Sequence, residues 1–316
     1  MVRYILVCLV ALLLLAGCDN YTSGPRFKGD VYSIASMIIS GQAINAEHPV
    51  YITRSADIDS FDPMNIFVTE AVVEITDLGT NESWLLSPMV DIEEMKLKWV
   101  DPAEHIIQPL HSYRIEVTIP GYDKTISAQT TVPQAVEVNT DYFGHNVQGE
   151  GFSADPENPS YLVYEESDLR YPLGINTFEG AGSHNVMVEM FCMEEFSTDL
   201  EFTTTIMGSS HPTEDMEDEY YSSGEGIRRI SFLAKMTSSI QPEYTDNYIV
   251  LRDYRQAFVF YGRYKVTAYI TDDNYYRYKY MPEGYLYGGV QNALGYFGSA
   301  SGTEFYTRVV KQAPSI

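Results

Sequence analysis

The chain has 316 residues, 44 of them acidic and 20 basic, so its formal net charge is −24. This balance argues against a nucleic-acid-binding protein, since phosphate contacts need clustered Lys and Arg side chains. It also argues against adhesion of the protein surface to anionic lipid headgroups. Hydrophobic residues make up 45% of the chain, which excludes a wholly disordered protein.

The amino-terminal segment has the organisation of a bacterial lipoprotein signal peptide. Arg3 gives a positive start, an apolar run follows, and Leu15-Ala16-Gly17-Cys18 matches a lipobox. The run is shorter than the roughly 20 residues that span a membrane. We therefore expect a signal peptide over 1–17, diacylglyceryl and palmitate-type acyl chains on Cys18, and a polar tether over 18–28. An ordinary signal peptide with a chance cysteine is the alternative.

Apolar and polar residues alternate with a period of two from about residue 30, as in half-buried strands. The segment EAVVEITDLGTNESWLLSP predicts a hairpin that turns at Gly79, Thr80 and Asn81. Further strand-like runs recur up to Pro133 with turn signals between them. The predicted fold class is therefore mostly β, with an immunoglobulin-like β-sandwich over 29–136.

Residues 137–316 predict a second β-rich domain, a sandwich or a partial barrel, with at most one or two short helices. The segment TDDNYYRYKYM fits either a strand or a short helix capped by Thr271 or Asp272, and we favour the helix. Cys192 lies among apolar residues in VMVEMFCMEEF and is predicted to be a buried thiol, because no basic residue lies near it in sequence to lower its pKa.

Local sequence offers few candidates for chemistry, and we predict no catalytic residue and no cofactor. The segment GSASG has Ala300 where a hydrolase elbow would carry its nucleophile. Asp57, Asp59 and Asp62 have the alternate spacing that begins a calcium loop. They lack the glycine and the distal Glu of such a loop, so we expect no metal requirement there. Ligands converging from distant strands are not visible in sequence.

A tyrosine-rich stretch near the carboxyl end is the candidate binding patch. Tyrosine is enriched at protein interfaces, and its ring can also stack on sugars. Half-buried aromatic residues of a strand or helix are the more common explanation, and both remain open. The members of the patch are Tyr275, Tyr276, Tyr278, Tyr280, Tyr285 and Tyr287.

Several segments together resemble a known family. VYSIASMIISG, HPVYITRSAD, VTEAVVEITD and HSYRIEVTIPGYDKTISAQTTVP resemble the opening domain of a Bacteroidota lipoprotein family that carries domain of unknown function 4249. GGVQNALGYFGSASGTEFYTRVV is similar to the closing segment of that family. The resemblance implies an outer-membrane lipoprotein, often encoded beside TonB-dependent receptors, and it carries no catalytic signature.

These observations predict a non-catalytic binding or accessory module of the outer membrane, whose partner is a TonB-dependent β-barrel transporter. One alternative is a surface lipoprotein that captures a glycan or peptide. Another is an extracytoplasmic hydrolase with carboxylates or a metal brought together from distant strands. The sequence leaves open whether the protein faces the periplasm or the cell surface.

Overall fold

The structure is a computed structural model. It describes residues 31–56, 62, 64–92, 94–134, 137–139, 147–148, 153–164, 173–176, 185–216, 221–222, 226–227, 229–233, 242–244, 248–251, 258–280 and 288–313. Within these residues the chain forms strands throughout, one α-helix, α1 (Asp273–Tyr280), and one 3₁₀ turn at Glu214–Met216. The predicted mostly β fold is confirmed, and Asp273–Tyr280 of the segment TDDNYYRYKYM form the predicted short helix.

The strands follow one another along the whole of the described chain. They are β1 (Tyr32–Ile39), β2 (Tyr51–Arg54), β3 (Val72–Asp77), β4 (Glu82–Leu85), β5 (Ser87–Asp91), β6 (Lys96–Val100), β7 (Ser112–Thr118), β8 (Ile126–Thr131), β9 (Glu137–Asn139), β10 (Val147–Gln148), β11 (Ser160–Val163), β12 (Leu173–Asn176), β13 (Asn185–Cys192), β14 (Tyr221–Ser222), β15 (Gly226–Ile227), β16 (Arg229–Leu233), β17 (Pro242–Tyr244), β18 (Tyr248–Leu251), β19 (Gly262–Thr271) and β20 (Leu294–Val310).

The first eight strands build a two-layer sandwich. One antiparallel sheet has the order β4-β3-β7-β8. In the other layer, the β5–β6 hairpin is joined to the β1–β2 pair by a bridge between Val50 and Trp99. Both layers send alternate side chains into one core, which contains Ile34, Trp99 and Ile115. The period of two in the sequence therefore describes this half of the chain well.

The predicted hairpin is β3 and β4. Its turn is closed by the carboxylate of Asp77, whose Oδ1 accepts a hydrogen bond from the Gly79 N–H at 2.7 Å. Asn81 ends the turn with a positive φ of 61°, a conformation that Asn tolerates better than most residues. The chain then crosses from one layer of the sandwich to the other at Leu86, between β4 and β5.

Strand β20 is shared by both halves of the chain. Residues 294–300 pair in parallel with β1, and residues 307–310 pair in parallel with β11. The opposite edge of β20 pairs antiparallel with β19, from Ala300 to Val309. Strands β13 and β16 continue this sheet beyond β19.

The carboxyl-terminal half has its own core on one face of this sheet. Cys192 is buried there, as predicted, and burial raises the pKa of its thiol to about 11. Smaller sheets complete this half, with the orders β17-β18-β12-β9 and β14-β15. The buried residues of the core are Leu162, Met190, Cys192, Phe202, Phe258, Phe260, Tyr264, Val266, Ala268, Ile270, Phe305 and Val309.

The two edges of the sandwich have different neighbours. We call the side formed by β1 and β8 the closed edge, because residues 288–300 and α1 lie against it. Val290 and Phe297 enter the core of the sandwich there, although they come late in the chain. The predicted domain boundary near residue 136 stays a prediction. A fragment that ends at this boundary lacks the side chains of Val290 and Phe297, which are part of the sandwich core.

A buried polar junction fastens the closed edge. Thr130 Oγ1 of β8 lies 2.5 Å from Asp272 Oδ2 and 2.7 Å from Ser299 Oγ. Ser299 Oγ in turn donates to the Thr131 carbonyl oxygen at 3.0 Å. Asp272 also caps α1, because its Oδ1 accepts the Tyr275 N–H at 3.2 Å, which confirms the predicted cap.

The other side, formed by β4 and β5, is the open edge. In the described part of the chain, β4 pairs only with β3 and β5 pairs only with β6. Large apolar side chains are exposed along it and at the tip of the β5–β6 hairpin: Leu85, Val90, Ile92 and Met95.

Candidate functional site

A polar cleft lies between the segment that follows β1 and the outer face of the main sheet. Its volume is about 240 Å³. Strands β13, β19 and β20 form its floor, and residues 40–48 form its wall. The residues that line it include Gln42, Glu47, Lys265, Thr267, Tyr269, Gly302 and Glu304.

The charged part of the floor is an ion pair between neighbouring strands. Lys265 Nζ lies 3.1 Å from Glu304 Oε2. The other carboxylate oxygen of Glu304 accepts a hydrogen bond from the Tyr306 hydroxyl at 3.2 Å. Thr267 stands directly opposite Glu304 in the β19–β20 register. The floor therefore places a compensated pair of charges beside a hydroxyl group.

The aromatic part of the floor depends on a glycine. Tyr269 pairs with Gly302 across the two strands, and a Cβ atom at Gly302 would lie 2.5 Å from Tyr269 Cδ1. The ring therefore occupies the space that any other residue at this position would fill. Gly302 belongs to the GSASG segment, so this glycine has a packing role inside β20.

The wall of the cleft is held by backbone hydrogen bonds to two other parts of the fold. The Ser40 N–H donates to the Ala300 carbonyl oxygen, and the Gly41 N–H donates to the Ile107 carbonyl oxygen, both at 2.8 Å. Gln42 follows, and its Oε1 is buried without a hydrogen-bond donor among the described residues. The cleft thus has rigid sides and one acceptor that the described fold does not satisfy.

Two histidine–carboxylate pairs elsewhere close turns. His111 Nδ1 lies 2.7 Å from Asp77 Oδ2, and His105 Nδ1 lies 2.8 Å from Asp101 Oδ2. Burial raises the pKa of Asp77, but the hydrogen bonds from His111 and the Gly79 N–H outweigh it, so the pKa lies below its usual value. No three His, Cys, Asp or Glu side chains within the described ranges are arranged to hold a metal ion.

The predicted tyrosine patch is partly visible. The rings of Tyr275 and Tyr278 lie 5.2 and 5.1 Å from the ring of Tyr296, and Tyr276 packs against the small cluster around Ile39. These three side chains of α1 are half-buried and keep part of their surface exposed. The side chain of Tyr280, and all of Tyr285 and Tyr287, lie outside what the structure describes.

Of the remaining predicted site residues, one lies within the described structure and three lie outside it. Asp62 closes a surface turn by accepting the Met64 N–H at 2.9 Å. Cys18, Asp57 and Asp59 lie outside the described residues. Sequence reasoning missed the cleft, since Lys265, Thr267 and Tyr269 alternate along β19 like the exposed face of any strand. The useful signal was Gly302 opposite Tyr269, which becomes visible only once the strands are paired.

A comparison with models of protein families identifies the family of this chain. The family model described as "Domain of unknown function (DUF4249)" matches residues 27–305. The chain belongs to this family. The family match covers both halves of the chain, including the cleft, the closed edge and the open edge.

Other comparisons add little. No curated protein matches the chain. Among solved structures, the chain is similar to one described as "Anomalous substructure of Titin-A168169", with 9% sequence identity, 90% of this chain and 98% of that chain covered, and a TM-score of 0.19. A score this low carries no argument about fold or function. The described residues contain no helix whose length and apolarity would allow it to cross a membrane.

Proposed function

We propose that this protein is a lipoprotein of the outer membrane, tethered through acyl chains on Cys18, that acts as a non-catalytic binding or accessory module. The lipobox and the apolar run before it support the anchor. Each buried CH₂ of an acyl chain contributes about 0.8 kcal/mol, so two or more chains hold a protein stably at a membrane. The partner that we propose is a TonB-dependent β-barrel transporter.

The observation that carries this proposal is the outer backbone edge of β5, which pairs with no strand other than β6 in the part of the chain that the structure describes. The N–H and C=O groups of Trp99 bond to Val50, so the pair of Pro88 with Trp99 is a non-hydrogen-bonded pair of the β5–β6 ladder. The pattern alternates, and Val90 therefore also directs its backbone groups away from β6. An extended segment of a partner can add to such an edge as a further strand.

The side chains of the open edge suit the same use. Val90 in β5 is 58% exposed, and Ile92 in the turn that follows β5 is 79% exposed. Clusters of exposed apolar side chains are characteristic of interaction sites. Asp91 is paired with Lys98 at 2.7 Å, so part of the charge beside the apolar residues is compensated.

A membrane neighbour is a better occupant than a second copy of the chain. A net charge of −24 makes two copies repel each other. An anchored protein instead meets barrels of the same membrane at high effective concentration, so even a weak contact is populated. The family resemblance, which implies genes beside TonB-dependent receptors, supports the choice of partner.

The proposal is tested by affinity purification from mildly solubilised outer membranes. We expect the tagged protein to recover a TonB-dependent receptor in near-stoichiometric amount. The double substitution Val90→Lys, Ile92→Lys should abolish most of that recovery. Met207→Lys is the matched control, because Met207 is 95% exposed and lies away from the open edge. Equal recovery with both variants would remove the open edge from the proposal.

A parallel variant examines the tyrosine patch. Tyr276→Ser changes a half-buried side chain of α1 that is not part of the open edge. Recovery that falls with Tyr276→Ser but not with the β5 variant would move the contact to the patch. Recovery of the lipoprotein alone, even after mild crosslinking, would contradict the accessory role itself.

The anchor has a separate test. Cys18→Ala should shift the protein out of the membrane fraction or leave an uncleaved precursor. Intact-mass measurement of the native protein should find the amino terminus at Cys18 with acyl chains attached. An unmodified terminus elsewhere would contradict the lipoprotein assignment.

A further inference from the structure

We propose that Glu82 of β4 and His105 of the loop between β6 and β7 form an open site for a divalent transition-metal ion such as Zn²⁺ or Cu²⁺. This inference goes beyond the proposed function, because it concerns a metal ion and needs no barrel partner. It rests on a histidine ring that a buried carboxylate holds in place, and on a second carboxylate beside the other nitrogen of that ring.

The ring of His105 is fixed by two contacts. Its Nδ1 lies 2.8 Å from Asp101 Oδ2, and the Asp101 side chain is only 1% exposed. Asp101 is itself held by the backbone, because it accepts the N–H of Ala103 at 2.9 Å and the N–H of His105 at 2.6 Å. The ring of Trp84 stacks on the imidazole at a centroid distance of 4.5 Å. The imidazole is therefore in place before any ion binds.

The contact with Asp101 also decides which ring nitrogen can bind a metal. An ionised carboxylate only accepts hydrogen bonds, so Nδ1 of His105 carries the proton of the neutral ring. The lone pair is then on Nε2, which makes no hydrogen bond within the described residues. Metal-binding histidines almost always have this arrangement, with the other ring N–H donated to a carboxylate or a carbonyl oxygen.

The second ligand is at a suitable distance. Glu82 Oε1 lies 3.9 Å from His105 Nε2. A zinc ion lies about 2.0–2.1 Å from a histidine nitrogen and about 2.0–2.2 Å from a carboxylate oxygen, so its two ligand atoms lie about 3.4 Å apart at a tetrahedral angle. A small rotation of the Glu82 side chain closes this difference, and that side chain is 62% exposed and therefore able to move.

An ion can reach the site from solvent, because the His105 side chain is also 32% exposed. One nitrogen and one oxygen ligand suit Zn²⁺ or Cu²⁺, whereas Ca²⁺ and Mg²⁺ prefer oxygen ligands alone. The described residues supply no third ligating side chain, so water fills the remaining positions. We therefore expect reversible binding at an open site, and not a structural metal centre.

The experiment uses Trp84 as a reporter inside the purified full-length protein. The chain has two tryptophans, and the other one, Trp99, is buried in the sandwich core. Cu²⁺ quenches the fluorescence of an indole ring close to it, so a Cu²⁺ titration should quench the Trp84 emission in a saturable way. Trp84→Phe should lose that quenched component. Zn²⁺ should compete and restore the emission, whereas Ca²⁺ at the same concentration should not.

Substitutions of the two ligands assign the quenching to the site. Loss of a group one step further from a metal already costs about 10–100-fold in affinity, so Glu82→Gln should weaken Cu²⁺ binding about tenfold or more. His105→Gln should abolish the saturable quenching. Glu70→Gln is the matched control, because it removes the same charge from an exposed position at the opposite end of β3 from the β3–β4 turn. Glu82 is exposed, so the melting temperature of its variant should not change.

Three results would overturn the inference. They are quenching that does not saturate, quenching that survives His105→Gln, and competition by Ca²⁺ as strong as that by Zn²⁺, which would indicate a general attraction of cations to the acidic surface. None of them bears on the barrel partner, because the purified protein is measured alone. Loss of barrel recovery in the membrane experiment likewise leaves the metal result standing.

Discussion

The two edges of the amino-terminal sandwich are made from similar strands, yet only the closed edge is covered by another part of the described chain. At the closed edge, β1 gains a parallel partner from β20, and Phe297 completes the core. At the open edge, β5 keeps Pro88 and Val90 backbone groups that no described strand uses. The comparison shows that the carboxyl-terminal half secures one side of the sandwich, while the other side has no further strand among the residues that the structure describes.

The polar junction explains how the closed edge tolerates a buried carboxyl group. Thr130, Asp272, Ser299 and the Thr131 carbonyl are linked by three short oxygen–oxygen contacts. The carboxylate of Asp272 accepts hydrogen bonds from the Thr130 hydroxyl and the Tyr275 N–H, so its buried oxygens have partners. Burial raises the pKa of Asp272 to about 6, although these hydrogen bonds act against the shift.

The strongest expected effect on the closed edge comes from Gly295→Ala. Gly295 has a φ of +99°, and a Cβ atom there would lie 1.8 Å from the Ile34 carbonyl oxygen of β1. The parallel pairing must therefore separate, and we expect a loss of more than about 4 kcal/mol in the free energy of unfolding.

Gly121→Ala is the matched control in the same denaturation series. Gly121 has a similar φ of +83° but open space around it. An added Cβ at Gly121 causes only backbone strain, so we expect a loss of about 1–2 kcal/mol in the free energy of unfolding. Equal losses for the two glycines would mean that the β1–β20 contact contributes nothing.

Phe297→Ala tests the same edge through its side chain. Phe297 is fully buried in the sandwich core, so its truncation should cost about 3–5 kcal/mol by urea denaturation. The open edge supplies the comparison, because Val90→Ala shortens an exposed side chain there and should change stability by less than about 0.5 kcal/mol. Similar losses at both positions would remove the distinction between the edges.

The junction should also give the closed edge a pH dependence. The folded pKa of Asp272, about 6, exceeds its usual value of 3.8, so its stabilising contribution is complete below about pH 4 and is lost as the pH rises through 6. The only acid beside it in α1, Asp273, is exposed and bonds to Asn185.

Asp272→Asn isolates this contribution from those of the other acidic residues. The difference in unfolding free energy between the native protein and the variant should shift by about 2.4 kcal/mol between pH 4 and pH 7, since each pKa unit corresponds to about 1.4 kcal/mol and the usual value of 3.8 lies just below this range. A difference that does not change with pH would show that Asp272 titrates normally in the fold.

The smallest effect on stability is expected at the open edge itself. Val90→Lys and Ile92→Lys replace exposed side chains, so the free energy of unfolding from urea denaturation should change by less than about 0.5 kcal/mol. The same substitutions should remove most of the partner recovery. A large loss of stability would mean that these residues are buried by part of the chain and are not free for a partner.

The sequence predicted the local features of this fold but not its long-range contacts. The alternation in β1 and β7, the turn at Asn81 and the cap at Asp272 each depend on residues close in the chain, and all could be predicted. Thr130 and Asp272 are 142 residues apart, and no local pattern relates them.

The candidate site shows the same limit. Gln42 lies in a loop and Lys265 in an ordinary alternating strand, and they share a cleft only because β20 pairs with both β1 and β19. The tyrosine patch was predicted from composition, and its described members pack mainly against Tyr296 and the Ile39 cluster. Composition identified the residues, but it could not say which side of each ring would be covered.

The central claim is that the open edge, and not the closed edge, holds a membrane partner. Site-specific photo-crosslinking in intact cells tests it most directly, with the crosslinking residue placed at Ile92 and, as control, at exposed Met207. We predict one discrete adduct from Ile92 that mass spectrometry identifies as a TonB-dependent barrel, and no such adduct from Met207. An Ile92 protein that forms no adduct, or the same adducts from both positions, would contradict the account.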